Sequence, residues 1–380
     1  MELVRTEDQE LIAKTAADFV KEKSPIARVR QLRDSKDAVG FSRALWQEMA
    51  ELGWIGIPFP DAYGGAGLGF AELAVVLEEL GRTLAPEPFL STVLLAGQAL
   101  LLSGDEAKCR HWLPRVCKGD AILALAQQEA RSRWELAAVE TRAEREGSAF
   151  RIRGEKVQVL DGHVADAFVV VARTAGGPRD ADGITLFVVP KGAAGLAVTR
   201  QSRVDGRNAA LVRLDGVTVG PEAMLGGLGA GHALLARVVD RATVGLAAEM
   251  LGGMQQAFAM TLEHLKHRQQ FGVPIGSFQA LKHRAANVYI EVELAKSAVM
   301  AAARAVDADA PDLPKLVSLA KARGSDAYVL ATNEGVQMFG GVGMTDEHEI
   351  GFYLKRARVA EQGFGDAAYH RDRWARLSGY

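Results

Sequence analysis

The sequence predicts an α+β protein in three blocks: an N-terminal helical domain over residues 1–120, a middle β-domain over 121–225 and a C-terminal four-helix bundle over 226–380. Three observations lead there. Apolar residues recur at helical spacing up to about residue 120, give way to alternation and short β-branched runs, and then resume the helical period to the end. Aromatic residues make up only 7% of the chain while Ala, Leu and Val abound, which disfavours an all-β core.

The elements follow in order. Thr6-Glu7-Asp8-Gln9 reads as a capping box, after which Ile12, Ala16, Phe19 and Val20 share one helical face. Leu45, Trp46 and Met49 begin a second stripe. Leu73, Val76, Leu77 and Leu80 form a third, and Leu94, Leu95, Leu100 and Leu101 a fourth. In the middle block, residues 150–153 and 156–159 alternate on either side of Gly154-Glu155, which predicts a hairpin turning at that pair. Residues 167–172 and 184–189 read as further strands. After Gly226-Gly227-Leu228-Gly229-Ala230-Gly231, long helical stretches cover 238–265, 278–306 and 316–339, as in a helix bundle.

Composition excludes several function classes. The chain has 380 residues, 48% of them hydrophobic and 24% charged, with 45 Lys plus Arg against 47 Asp plus Glu. It can bury a large core, and no concentrated positive charge points to nucleic acid or an anionic membrane. Charges interrupt every long apolar stretch, so no membrane span is expected. Two cysteines, Cys109 and Cys117, and a polar start without a signal peptide's apolar core imply a reducing, cytoplasmic setting. Nucleotide loops are not indicated: Gly65-Ala66-Gly67-Leu68-Gly69 and Gly341-Val342-Gly343 do not complete G-x-G-x-x-G, and no Gly-Lys-Ser/Thr occurs. His264 and His267 share a helical face but have no third ligand, so no metal is expected. Asp346-Glu347-His348-Glu349 reads as the start of a helix.

Two motifs are more specific. Arg268-Gln269-Gln270-Phe271-Gly272-Val273-Pro274-Ile275-Gly276-Ser277-Phe278-Gln279 resembles the R-x-x-F-G-x-x-I-x-x-F-Q signature of acyl-CoA dehydrogenases, and residues 337–344, beginning Gln337-Met338-Phe339-Gly340-Gly341, resemble that family's Q-x-x-G-G-x-G turn. The order of blocks extends the resemblance over the whole chain. It implies FAD as cofactor and an acyl-CoA thioester as substrate, dehydrogenated between Cα and Cβ, with electrons passing to an electron-transfer flavoprotein. Arg268 would meet the cofactor's diphosphate, and Gly340 and Gly341 would admit the ADP portion to the backbone. Gln279 and Gln337 would add neutral hydrogen bonds and Phe271 an apolar wall. In relatives these groups serve a neighbouring subunit's flavin, which implies an oligomer.

The sequence also departs from the family. Its catalytic carboxylate falls on Phe364, which accepts no proton, and the alternative position on the first helix of the bundle falls on Ala242. Asp366 is the surviving candidate base; Asp240 lies about 200° around its helix from Ala242. The two hydroxyl positions that hold the flavin ring in relatives are Gln128 and Leu160. This pattern resembles a bacterial subgroup in which two unlike chains build an α2β2 tetramer, often for steroid side chains or other bulky acyl groups. The resemblance implies either a dehydrogenase in fatty-acid or steroid side-chain degradation, as a homo-oligomer or an α2β2 tetramer with an unlike family member, or a non-catalytic subunit completing an unlike chain's FAD site.

Overall fold

The computed structural model describes residues 3–380. Six helices come first: α1 (Glu7–Lys23), α2 (Ile26–Asp34), α3 (Arg43–Glu51), α4 (Phe70–Arg82), α5 (Gln98–Ser103) and α6 (Glu106–Cys117). Eight strands follow: β1 (Leu123–Ala126), β2 (Arg142–Glu146), β3 (Ala149–Leu160), β4 (Ala167–Arg173), β5 (Ile184–Pro190), β6 (Leu196–Gln201), β7 (Ala209–Val219) and β8 (Met224–Leu225). Then come α7 (Gly231–His267), a ribbon of β9 (Gln269–Gln270) and β10 (Val273–Pro274), α8 (Gln279–Asp307), α9 (Leu313–Phe339), α10 (Ile350–Gln362) and α11 (Ala367–Leu377). Helices, sheet and helices in succession make the α+β arrangement that the sequence predicts. The chain packs as two compact units, one of residues up to Ser35 with Gly69–Ala85 and Thr243–Tyr380, the other of Lys36–Leu68 with Pro86–Ala242.

The first unit is helical. At its start Thr6 Oγ1 accepts the Gln9 N–H and Gln9 Oε1 accepts the Thr6 N–H, each at 3.2 Å, which is the expected capping box. The buried face of α1 centres on Ala13, Ala16 and Val20, and Ile12 and Phe19 are only half-buried at its margins. Helix α4 crosses α7 at two glycines. A Cβ on Gly252 or Gly81 would overlap the carbonyl of Glu78 or Glu249, so the backbones meet without intervening side chains. Helix α9 packs on α8, α10 and α11. Residues 346–349 lead directly into a helix, as the sequence reading expects: α10 starts at Ile350 with Glu349 as its N-cap. Asp346 accepts two hydrogen bonds from Arg33, at 2.6 and 2.7 Å, and an ion pair from Arg30.

The second unit is built on a sheet of order β6-β7-β3-β2-β4-β5-β8, with β1 parallel to β4. The expected hairpin at Gly154-Glu155 is absent: β3 runs through both residues and pairs with β2 along one edge and β7 along the other. The register shifts at Ile152/Arg153 because β7 carries an extra residue there, Gly216 at φ 71°, and a Cβ on Gly154 would overlap Thr141, so Gly154 marks a close approach in a continuous strand. The tight turn between β2 and β3 lies at Gly147, φ 65°. Ile152, Val159, Phe168, Val170, Phe187 and Val212 fill the core.

Lys156 on β3 is wholly buried, its Nζ 2.6 Å from Glu129 Oε1. Burial pushes this lysine down to about 8 against the attraction of Glu129. Desolvation acts upward on Glu129, but the charge of Lys156, with hydrogen bonds from Lys156 and Thr141, holds its carboxyl below the ordinary range. Lys156→Met strands a buried carboxylate, so urea unfolding is expected to show a loss of about 3–5 kcal/mol. A loss under about 1 kcal/mol would mean that Glu129 finds other compensation.

Candidate functional site

Arg268 immediately follows α7. Its N–H donates to the His264 carbonyl and its own carbonyl accepts the Ile275 N–H, both at 2.8 Å, which folds the β9–β10 ribbon back on the helix end. The ribbon turns through Phe271, φ 55°, and Gly272, φ 79°, two left-handed residues as a primed two-residue turn requires. Left-handed backbone is strained for phenylalanine, and its ring is 91% exposed, so core packing does not account for it. Beyond the ribbon, Ile275 packs against Leu265, Ala285 and Met338. That small apolar cluster joins α7, α8 and α9 and brings Arg268 beside the end of α9. There the Phe339 ring lies 4.5 Å from His264 and 3.9 Å from His348.

Gln337 and Gln279 are exposed on the last turn of α9 and the first turn of α8. A Cβ on Gly340 or Gly341 would meet nothing within 4 Å, whereas one on Gly343 would come within 2.8 Å of the Val336 carbonyl. Gly343 is thus needed for packing, and Gly341 is not. The Arg268 guanidinium is exposed and has no hydrogen bond or ion pair among the described residues, while its neighbours Lys266 and His267 both face Glu263. Burial and then the charge of Arg268 lower the His264 pKa. An uncommitted planar cation beside open backbone suits the diphosphate of a dinucleotide. The two sequence motifs therefore meet at one end of the helical unit. Among the described residues no group of three His, Cys, Asp or Glu side chains is placed to hold a metal, and no helix is long and apolar enough to cross a membrane.

Phe364 and Asp366 lie on the strap between α10 and α11, at the other end of α9. Phe364 is left-handed, φ 59°. Asp366 is the N-cap of α11, its Oδ1 accepting the Tyr369 N–H at 2.8 Å. Beneath the strap lie two residues that the sequence reading missed. Lys321 on α9 is fully buried, and its Nζ donates to the carbonyls of Gly365 at 2.7 Å and Glu361 at 2.9 Å and to Ser325 Oγ at 3.1 Å. His370 Nε2 lies 3.2 Å from the Phe364 carbonyl, which accepts its proton, and Nδ1 faces Ser318 Oγ at 3.4 Å. Burial pulls Lys321 down to about 7 despite the attraction of Glu361 and Asp366. Burial, with Lys321 and Arg373, pulls His370 down to about 3. A signal was present: Lys321 sits on the buried stripe of Val317 and Tyr328, where a solvated lysine does not belong.

In the second unit the Gln128 carbonyl accepts the Val157 N–H at 2.8 Å, and Leu160 ends β3 opposite Ala209. Among the described residues, Gln127 Oε1 and Thr141 Oγ1 are buried without a hydrogen-bond partner. An acceptor lacking a donor therefore adjoins Gln128, while the Leu160 side chain has no polar atom to offer.

Two measurements follow from this geometry. Gly343→Ala should cost about 1–3 kcal/mol by crowding the Val336 carbonyl, whereas Gly341→Ala should leave the thermal midpoint in place; equal losses would contradict the open backbone. For His370, the folded chain binds fewer protons than the unfolded chain between about pH 3 and 6.5, so stability is lost as pH falls through that window. His370→Gln should flatten this acid limb in urea midpoints taken at pH 4.5 and 7.5, and an unchanged slope would show that other groups govern it.

Residues 6–120, 123–217 and 229–378 match the family profiles described as the acyl-CoA dehydrogenase N-terminal, middle and C-terminal domains. The chain is 32% identical over 366 residues to acyl-CoA dehydrogenase IpdE2 of Mycobacterium tuberculosis, covering 94% of this chain and 92% of that one. It is 28% identical over 372 residues to the probable acyl-CoA dehydrogenase YngJ of Bacillus subtilis, covering 96% of each. Among solved structures it resembles a chain of the ChsE4-ChsE5 complex from Mycobacterium tuberculosis, with a TM-score of 0.90, 29% identity and full coverage of both chains. Three consecutive domain matches spanning nearly the whole sequence, on a fold that joins the two motifs, make this chain a member of the acyl-CoA dehydrogenase family.

Proposed function

We propose that the protein binds FAD and takes part in the α,β-dehydrogenation of an acyl-CoA thioester in the cytoplasm, passing electrons to an electron-transfer flavoprotein. The observation that carries this reading is the uncommitted Arg268 guanidinium set beside the open backbone of Gly340 and Gly341. Arg268 holds the cofactor's diphosphate, Gly340 and Gly341 present the backbone to its ADP portion, Gln279 and Gln337 add hydrogen bonds, and Phe271 walls the site. Lys321 and Gln337 are 16 residues apart on α9, about 24 Å along the axis. That separation supports assigning the diphosphate to a flavin whose ring lies in an adjoining protomer.

The bound flavin supplies the hydride acceptor. This chain's own part in the chemistry is the strap. The Phe364 N–H donates to no group among the described residues and is free to polarise a thioester carbonyl, which acidifies Cα. The Phe364 side chain cannot take the proton, and Asp366, the candidate base, already accepts a hydrogen bond as a cap. A second reading rests on that absence of a free carboxylate: the chain is the non-catalytic partner of an unlike family member in an α2β2 tetramer, its Arg268 end completing the partner's FAD site. The ChsE4-ChsE5 complex is a pairing of two named chains, which supports the same reading.

Arg268→Ala is expected to weaken flavin retention about tenfold to a hundredfold, as loss of a charge-assisted pair implies; full occupancy by visible absorption would overturn the phosphate role. The spectrum of the isolated chain separates the two readings. A yellow protein bleached by acyl-CoA is an independent dehydrogenase, and a colourless one that turns yellow only with an unlike chain is the partner.

A further inference from the structure

The strap over residues 361–366 is held from beneath with little slack. Its carbonyls at Glu361 and Gly365 go to Lys321, its carbonyl at Phe364 goes to His370, and the Gly363 N–H returns to α10 at Val359 and Ala360. A Cβ on Gly365 would crowd the rings of Tyr369 and His370. Among the described residues the Phe364 N–H has no partner, and its left-handed backbone, φ 59°, persists only where its surroundings hold it. A methionine would fill the space of Lys321 without the penalty of burying an amine. The lysine places three N–H donors against three acceptors, two of which flank Phe364.

We propose that Lys321 is a positioning residue for acyl-thioester binding: by tying the Glu361 and Gly365 carbonyls to α9, it holds the Phe364 peptide in the left-handed turn that presents its N–H to the substrate carbonyl. The role rests on the acyl-CoA reading above. Around Lys321 stand Ser325 from α9, Arg356 and Glu361 from α10, Asp366 at the strap's end, and His370 and Arg373 from α11. Glu361 and Asp366 favour the ammonium and Arg356 opposes it. His370, pulled down to about 3, stays neutral from pH 6 to 9. Raising the pH through about 7 takes a proton from Lys321 and leaves two N–H donors for three acceptors, which loosens the strap.

The test uses the full-length, FAD-loaded protein. Hexanoyl-CoA binding is measured by calorimetry from pH 6 to 9, and amide exchange over residues 361–366 is measured without substrate. Wild type should bind more weakly as pH rises through the lysine's titration. Lys321→Met should bind about tenfold more weakly at pH 6, lose the pH dependence, and exchange about tenfold faster over the strap but not over residues 265–285. Ser325→Ala, a milder change, removes one acceptor of the ammonium and should move the wild-type midpoint to lower pH. Unchanged strap exchange in Lys321→Met overturns the anchoring, and an unmoved midpoint in Ser325→Ala overturns the lysine as the titrating group. Failure of the wild type itself to bind hexanoyl-CoA overturns the acyl-CoA reading, and the thioester role with it, whatever the exchange shows.

Discussion

The packing of Leu265, Ala285 and Met338 at one end of the helical unit decides where everything functional at that end can be. These three side chains come from α7, α8 and α9, and Ile275 of the ribbon closes over them. Arg268 lies three residues from Leu265, and Gly340 two residues from Met338. Two motifs separated by about seventy positions of sequence thus become one surface through an apolar contact that carries no chemistry of its own. The permanent charge of Arg268 adds nothing to that contact. Among the described residues the guanidinium has no partner, so it stays available to a ligand.

Helix α9 links this surface to the strap. Its last turn carries Gln337 and leads into the glycines, and its first half carries Lys321 beneath Phe364. A buried lysine is a costly way to fill a core, and here its ammonium is matched by three acceptors rather than by a single counter-charge. The Lys156 pair in the sheet solves the same problem differently, with a direct carboxylate contact to Glu129. The contrast is physical: Lys156 satisfies a strand and a loop within a sheet core, whereas Lys321 faces the carbonyls of a strained turn. Phe364 sits on that turn with a side chain that takes no proton, while Lys321 and His370 hold the carbonyls around it.

Several departures from the sequence expectation share one cause, which is that local signals do not report distant partners. Gly154-Glu155 carries the mark of a turn, yet β7 pairs along most of β3 and keeps the strand running straight through the same glycine. In α1 the buried side centres on Ala13, Ala16 and Val20 rather than on Ile12 and Phe19, because which side of an amphipathic helix is buried depends on α4.

Sequence periodicity alone determined the succession of helices, strands and helices, since the 3.6- and two-residue repeats are properties of the backbone itself. The candidate residues Arg268, Phe271, Gln279, Gln337, Gly340 and Gly341 could be singled out through the family resemblance, because a motif is a matter of residue identity and spacing before folding. Only the tertiary structure decided that these groups share one surface, that Gly341 is open while Gly343 is packed, and that Lys321 and His370 lie beneath residue 364. Burial and hydrogen-bond geometry arise from chain segments far apart in sequence, and it is burial that turns an ordinary lysine into a buried clamp.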